Sequence, residues 1–494
     1  MKFLYYDLGF LLIFCLGMAF LFLKNKKNVV VEGRIFILYK TKVGLKLISW
    51  LGAKFKKTLS VLSYVVITTG YLLMILAIYL FVQMVVSVAK MPEILKIAKV
   101  PPIMPLIPYL PQMFNIDFLP PFYFTYWIIA IAIIAIFHEG AHGTFAKFYK
   151  VKIKSTGFGF LGPFLAAFVE PDEKQLARKK KKEQIVVLSA GSFANLVMAV
   201  IFMIIIALFF YYFFSPQGVK FETYASSAIN ISSITAISNV LVANPSMQDI
   251  LLILPTISAA DLQLAVNNKT TNLTKITAAN STYFAVTENL ESSIKQAKNA
   301  SLIRQLLVFD DTPALRAGLQ GAITKINFAS VKNLKEFEAQ LAKYHPNDDI
   351  TIEVMNKDYS HKYYNIMLAA RTDNSSAAYL GAGFLVIAPK KGIIGFIGKL
   401  IFKFKNPNIF YMPKYSIGWT IFIYNLLWWI IVINLSVAIM NMLPLGIFDG
   451  GRVFYLTMLA ITKSEKKAKW AFRIMTYLLL GLVIALTVLW AFVI

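Results

Sequence analysis

The sequence predicts a polytopic α-helical membrane protein of about six transmembrane helices with an inserted extracytoplasmic α/β domain. Of its 494 residues, 58% are hydrophobic and only 15% charged, against roughly a quarter charged in an ordinary soluble domain. Six apolar runs come near or above the ~20 residues that a helix needs to cross a bilayer. Between the fourth and fifth lies a long stretch rich in Ser, Thr and Asn.

The runs cover residues 3–23, 59–88, 123–145, 185–214, 417–443 and 471–494. The first has no small-residue cleavage site, and Lys24, Lys26 and Lys27 follow its apolar core. It therefore reads as a retained helix with its N-terminus outside. The segment 24–57 carries ten Lys or Arg against one acid, Glu32. Segment 147–182 contains the run Arg178-Lys179-Lys180-Lys181-Lys182, and Lys463, Lys466, Lys467 and Lys469 form a third cluster. Alternating the six spans puts all three on the cytoplasmic side. The net charge of +25 is thus read as membrane topology, with contact to anionic lipid as its lesser use. No nucleic-acid partner is expected. Cys15 is the only cysteine, which excludes an intrachain disulfide and a cysteine metal site.

This organisation divides the chain into five parts. Residues 1–88 hold two spans joined by a basic cytoplasmic loop. Residues 89–122 contain Pro101, Pro102, Pro105, Pro108, Pro111, Pro120 and Pro121, which forbid a long helix and suggest a stiff extracytoplasmic linker. Residues 123–214 form the first half of a membrane core, and 215–380 an outer domain. Residues 381–494 begin with an amphipathic interfacial helix at 392–405 and supply the second half of the core and the last span. Asn230, Asn268, Asn272, Asn280, Asn299 and Asn374 each begin an N-x-S/T triplet in the outer region; glycosylation and chance composition both account for them.

The third span ends in His138-Glu139-Gly140-Ala141-His142. Histidines at i and i+4 share one helical face, so both imidazoles can reach one metal. Glu139 stands where a carboxylate can take a proton from water held by that metal, and zinc lowers the pKa of such water to about 7. Ionisable groups in a membrane helix are costly without a partner, which favours a metal over coincidence. His345 and His361 read as ordinary residues of the outer domain. A catalytic zinc needs a third protein ligand and an open position. Asp449, in Asn441-Met442-Leu443-Pro444-Leu445-Gly446-Ile447-Phe448-Asp449-Gly450-Gly451, is the only carboxylate between the fifth span and Lys463. Pro444 and the glycines break the helix there, which either aims Asp449 inward as a ligand or makes a solvated Asp-Gly turn.

The H-E-x-x-H at residues 138–142 followed by N-x-x-P-x-x-x-x-D-G at 441–450 resembles the site-2 protease family of intramembrane zinc metalloproteases. Supporting pieces occur in order. Residues 154–157 (Lys-Ser-Thr-Gly) and 162–173 (Gly-Pro-Phe-Leu-Ala-Ala-Phe-Val-Glu-Pro-Asp-Glu) resemble the segment after the H-E-x-x-H helix in archaeal members. Gly191-Ser192-Phe193-Ala194-Asn195 resembles the family's G-x-x-x-N helix. The resemblance covers about 123–214 and 417–451. It implies one Zn2+ per chain held by His138, His142 and Asp449, with Glu139 as base and then acid.

A substrate helix hides its amides in its own hydrogen bonds, so it must be held extended to be cut. Asn195 and Asn441 are polar groups in apolar runs, and the resemblance implies that they bind substrate; bonding between helices is the plainer use. Residues 157–169 read either as a re-entrant hairpin whose edge pairs with substrate or as an interfacial loop.

In the outer domain, Thr312-Pro313-Ala314-Leu315-Arg316-Ala317-Gly318-Leu319, a strand at 323–327, a helix at 334–344 and a strand at 349–355 resemble a PDZ domain. Gln320-Gly321-Ala322 replaces the usual P-G-D, which argues against a standard C-terminus-binding groove. The expected function is regulated intramembrane proteolysis in a multi-pass cell-membrane protein, with transmembrane proteins as substrates and the active site nearer the cytoplasm. The alternative is a catalytically silent scaffold or chaperone that grips partners through the PDZ-like domain.

Overall fold

The computed structural model describes residues 2–24, 29–32, 36–90, 104–114, 116, 119–161, 164–242, 245–253, 261–266, 269–287, 290, 305–356, 358–371, 375–384 and 404–493. The chain forms two compact units: Met1–Phe209 with Gly418–Ile494, and Phe210–Ile417.

The first unit is built on six helices long and apolar enough to cross a membrane. They are α1 (Lys2–Lys24), α3 (Lys56–Lys90), α4 (Phe124–Phe148), α5 (Lys181–Phe213), α6 (Ile417–Met440) and α8 (Glu465–Val493). Two shorter helices, α2 (Leu45–Lys54) and α7 (Asp449–Thr462), complete it. Each span agrees with its predicted run to within a few residues, because a sustained apolar stretch in lipid must satisfy its backbone internally and the helix does so. One core packs α4 against α6 through Phe122, Trp127, Ala130, Trp429 and Ile433. A second joins α3, α5 and α7 through Leu73, Leu188 and Val453.

The segment expected to be a basic loop is structured. It contains α2 and two strands, β1 (Val29–Glu32) and β2 (Phe36–Thr41). With β3 (Ile153–Leu161) and β4 (Phe164–Pro171) they form one antiparallel sheet in the order β1-β2-β3-β4. The lysines obscured the short apolar run of β2, whose partner strand lies more than a hundred residues away; Lys40, for instance, pairs with Gly157. Within 157–169, the described residues of β3 and β4 pair as an antiparallel hairpin.

The proline-rich segment also does more than space two spans. Leu106, Tyr109, Leu119 and Phe122 pack into the α4–α6 core, and the Pro121 carbonyl accepts from Trp429 Nε1 at 3.1 Å. Pro101 and Pro102 lie outside the described residues, as does nearly all of the expected interfacial helix at 392–405.

The second unit holds a sheet in the order His361–Met367, Asp349–Met355, Ala322–Ile326, Phe214–Lys220, Ile409–Pro413. Helix Leu334–Leu341 packs into the same core through Phe337. The two strands and the helix expected here therefore form, with ends shifted by three residues at most. Because Phe214–Lys220 pairs with Ile409–Pro413, the unit reaches beyond the expected 215–380. A second sheet, with its own core of Ile234, Ile250, Ile276 and Leu306, is built from strands between Ser226 and Asp310. Asn230 and Asn280 are exposed there, whereas Asn268, Asn299 and Asn374 lie outside the described residues.

Candidate metal centre

Helix α4 widens into one turn of π-helix at Ala135–Glu139 and resumes its α-helical course at Gly140. Such turns are rare and concentrate at functional sites. His138 is 6% exposed, and its Nε2 stands 3.1 Å from Nε2 of His142.

The third group arrives from the other half of the chain. Helix α6 ends at Met440, and residues 441–448 fold back over the first turn of α7. The Gly450 N–H donates to the Asn441 carbonyl at 2.7 Å. A Cβ at Gly450 would lie 2.3 Å from the Met442 carbonyl carbon and oxygen, so only glycine permits this approach. Asp449, at the head of α7, thereby places Oδ2 3.3 Å from His142 Nε2 and 3.9 Å from His138 Nε2. The three candidate ligand atoms all lie within 4.8 Å of one another. Two donors bound tetrahedrally to zinc at about 2.0–2.1 Å stand roughly 3.3 Å apart. The observed separations bracket that value, so this donor set fits a zinc ion.

The Oε2 of Glu139, beside the cluster, accepts from the Val169 N–H of β4 at 2.9 Å. Glu139 also lines a cavity of about 610 Å³. The walls are mostly apolar, formed by Ile48 and Leu51 of α2, Phe158 and Phe168 of the hairpin, and Met198 and Ile201 of α5.

The fold thus gathers all six residues singled out in the sequence. The Asn441 amide nitrogen is 3.3 Å from His138 Nε2, on the side facing the cluster. Asn195 is fully buried, with its amide nitrogen 2.9 Å from His138 Nδ1. His345 and His361 belong to the second unit, where His361 pairs with Glu353 at 2.9 Å.

Three further contributors were given no role in the sequence reading. Val187 offers its carbonyl to His142 Nδ1 at 2.6 Å. Gly191 makes room, since a Cβ there would stand 2.4 Å from His142 Nε2 and 2.5 Å from His138 Nε2. Val169 contributes its N–H. Two of these act through backbone atoms, which no side-chain pattern announces. The glycine was visible only as part of G-x-x-x-N.

Two imidazoles and an aspartate that could hold a metal, with a glutamate beside them, converge on helices apolar enough to cross a membrane. Residues 126–290 and 383–482 match the profile of Peptidase family M50. The chain belongs to that family, the site-2 protease family. No curated protein matches it in sequence.

Proposed function

We propose that the chain is an intramembrane zinc metallopeptidase that hydrolyses peptide bonds of membrane-spanning substrates within or near the bilayer, in regulated intramembrane proteolysis. The convergence of His138, His142 and Asp449 beside Glu139 carries this reading. The two histidines and the aspartate would hold one Zn2+. When bound, it supplies a Lewis acid and water made acidic enough to attack at neutral pH.

The chain's own groups do the rest. Glu139 takes the proton of the attacking water and returns it to the leaving amine. The Val169 N–H aims its carboxylate. Asn441 faces the same space and is suited to support the oxyanion that develops on the scissile carbonyl. Among the described residues, strand β4 is at the edge of its sheet, with Glu139 seated on it. An extended substrate can add along that edge while the neighbouring cavity takes its apolar side chains.

In this reading the basic clusters face the cytoplasm, with the active site nearer that side. The second unit lies outside, where its PDZ-like part excludes bulky ectodomains or binds trimmed ends.

The test is cleavage of a single-span substrate by the purified chain. Activity should stop on chelation of zinc and be lost in Glu139→Gln with metal still bound. Full cleavage by Glu139→Gln would reject Glu139 as the base. A silent scaffold predicts instead that this substitution changes nothing while deletion of the second unit abolishes function.

A further inference from the structure

Both imidazoles rest on one stripe of α5. Val187, Gly191 and Asn195 recur every four residues, as do His138 and His142. The contacts run antiparallel: His142 meets Val187 and His138 meets Asn195, with Gly191 against both rings.

Together with the Gly191 backbone, which also bonds His138, the two outer contacts set which nitrogen of each ring carries the proton. A carbonyl only accepts, so at His142 the Nδ1–H donates to Val187. The bare Nε2 then faces Asp449 and His138. His138 has the same need: to offer its Nε2 lone pair to a metal, it must carry its proton on Nδ1, and the partner of Nδ1 must be an acceptor. The only acceptor on Asn195 is Oδ1. That oxygen is buried and has no other partner among the described residues. The two ends of an amide have the same shape, and their assignment follows from the hydrogen-bond network. A half-turn of the Asn195 amide exchanges its nitrogen for Oδ1 at 2.9 Å from Nδ1.

We propose that Asn195 is a positioning residue whose amide oxygen fixes the Nδ1–H tautomer of His138 and so presents its Nε2 to the metal. This rests on the metal reading above. It separates the two asparagines expected to bind substrate. Asn195 is fully buried and spent on His138, whereas Asn441 reaches the Nε2 side, where a substrate carbonyl would come.

The experiment measures zinc affinity of the full-length chain in detergent by competition with a chromophoric chelator. Wild type is compared with Asn195→Ala and Asn195→Asp. Loss of an outer partner of a ligating histidine typically weakens metal affinity by about 10–100-fold, which is the result expected for Asn195→Ala. Asn195→Asp keeps an acceptor and should stay within roughly threefold of wild type. Asn195→Leu, close to asparagine in shape and without an acceptor, replaces Ala if that variant does not fold.

Unchanged affinity in the Ala or Leu variant would overturn the proposal. So would equal weakening in Asp and Ala, because packing or the amide N–H would then be what matters. A wild-type chain that binds no zinc would instead remove the metal reading on which the proposal stands.

Discussion

The carboxylate of Asp7 accepts a hydrogen bond from the backbone N–H of Thr125 at 2.9 Å and another from the Thr125 hydroxyl. It also accepts from the Phe124 N–H at 2.8 Å and the Tyr109 hydroxyl at 2.6 Å. Phe124 and Thr125 open helix α4, whose own N-cap residue, Tyr123, makes no side-chain cap. An acid from α1 therefore caps the helix that carries His138, and the four donors explain how a carboxylate is tolerated there. Burial and the Asp7 carboxylate together hold the Tyr109 phenol well above its usual pKa, so Tyr109 remains a donor.

Replacing Asp7 by Ala strands two helix N–H groups and a phenol in a buried site. An unpaired buried donor costs about 1–3 kcal/mol, and the loss is predicted within or somewhat above that range. Thermal unfolding in detergent measures it. A midpoint unchanged from wild type would show that the cap is not holding α1 to α4.

Gly191 tests how closely α5 must approach the imidazoles. In Gly191→Ala the new methyl would fall within 2.5 Å of both Nε2 atoms, closer than any relaxed contact. The helices must separate or the rings must turn. Zinc affinity is predicted to fall at least tenfold, on the order of losing an outer partner of a ligand, with helical content by circular dichroism near wild type. Wild-type affinity in this variant would mean that α5 is not packed on the rings.

The membrane helices and the candidate ligands were legible in the sequence because each is carried by side-chain type at fixed spacing. An apolar run declares a span, and His138 with His142 declares a shared helical face. Asp449 stood out as an acid alone in apolar surroundings. Asp7 offered the same kind of signal, a single acid inside the first span, yet its partners Phe124 and Thr125 are backbone donors with no pattern of their own. The sheet failed for a related reason. Strands β2 and β3 meet only through the tertiary fold, and Lys40 and Lys42 gave their surroundings the look of a solvated loop. Lys40 in fact pairs with Glu170 of β4 at 3.0 Å.

That pair gives a pH prediction. The Ser155 hydroxyl at 2.6 Å and the Lys40 ammonium hold the Glu170 carboxyl below its ordinary value of 4.5. A depressed acid contributes stability above its unfolded pKa and loses it as pH falls through the folded value. The contribution is therefore full above about pH 5 and fades below pH 4.5. Both side chains are about one-third exposed, so solvent screening keeps the effect small, under ~1 kcal/mol. Wild type should exceed Glu170→Gln in stability at pH 7, and the gap should narrow toward pH 4. A gap that widens with acid would contradict this sign.

Arg452 makes a two-pronged contact with Glu173, at 3.1 and 2.8 Å, three residues beyond Asp449. The geometry suggests a clamp on the head of α7, but both partners are about half exposed or more. Exposed pairs contribute about 0–1 kcal/mol. Arg452→Ala is therefore predicted to leave zinc affinity within roughly twofold of wild type. A loss of tenfold or more would show that the pair positions Asp449.

Val169 acts on Glu139 through its backbone alone, so two substitutions at one position can separate packing from hydrogen bonding. Val169→Ala shortens a half-buried side chain and keeps the N–H. Val169→Pro removes the N–H, and an edge strand accepts proline where that N–H points away from the sheet. Glu139 itself is untouched, as are His138, His142 and Asp449. Zinc affinity should therefore match wild type in both variants. Cleavage of a single-span substrate should persist in Val169→Ala and fall by about 10–100-fold in Val169→Pro, since a general base held off its line loses much of its ~10²–10⁴-fold effect. If the proline variant cleaved as fast as the alanine variant with zinc in place, the Val169 N–H would have no part in aiming Glu139. If both lost zinc, the hairpin would be holding the metal site together as well as orienting its base.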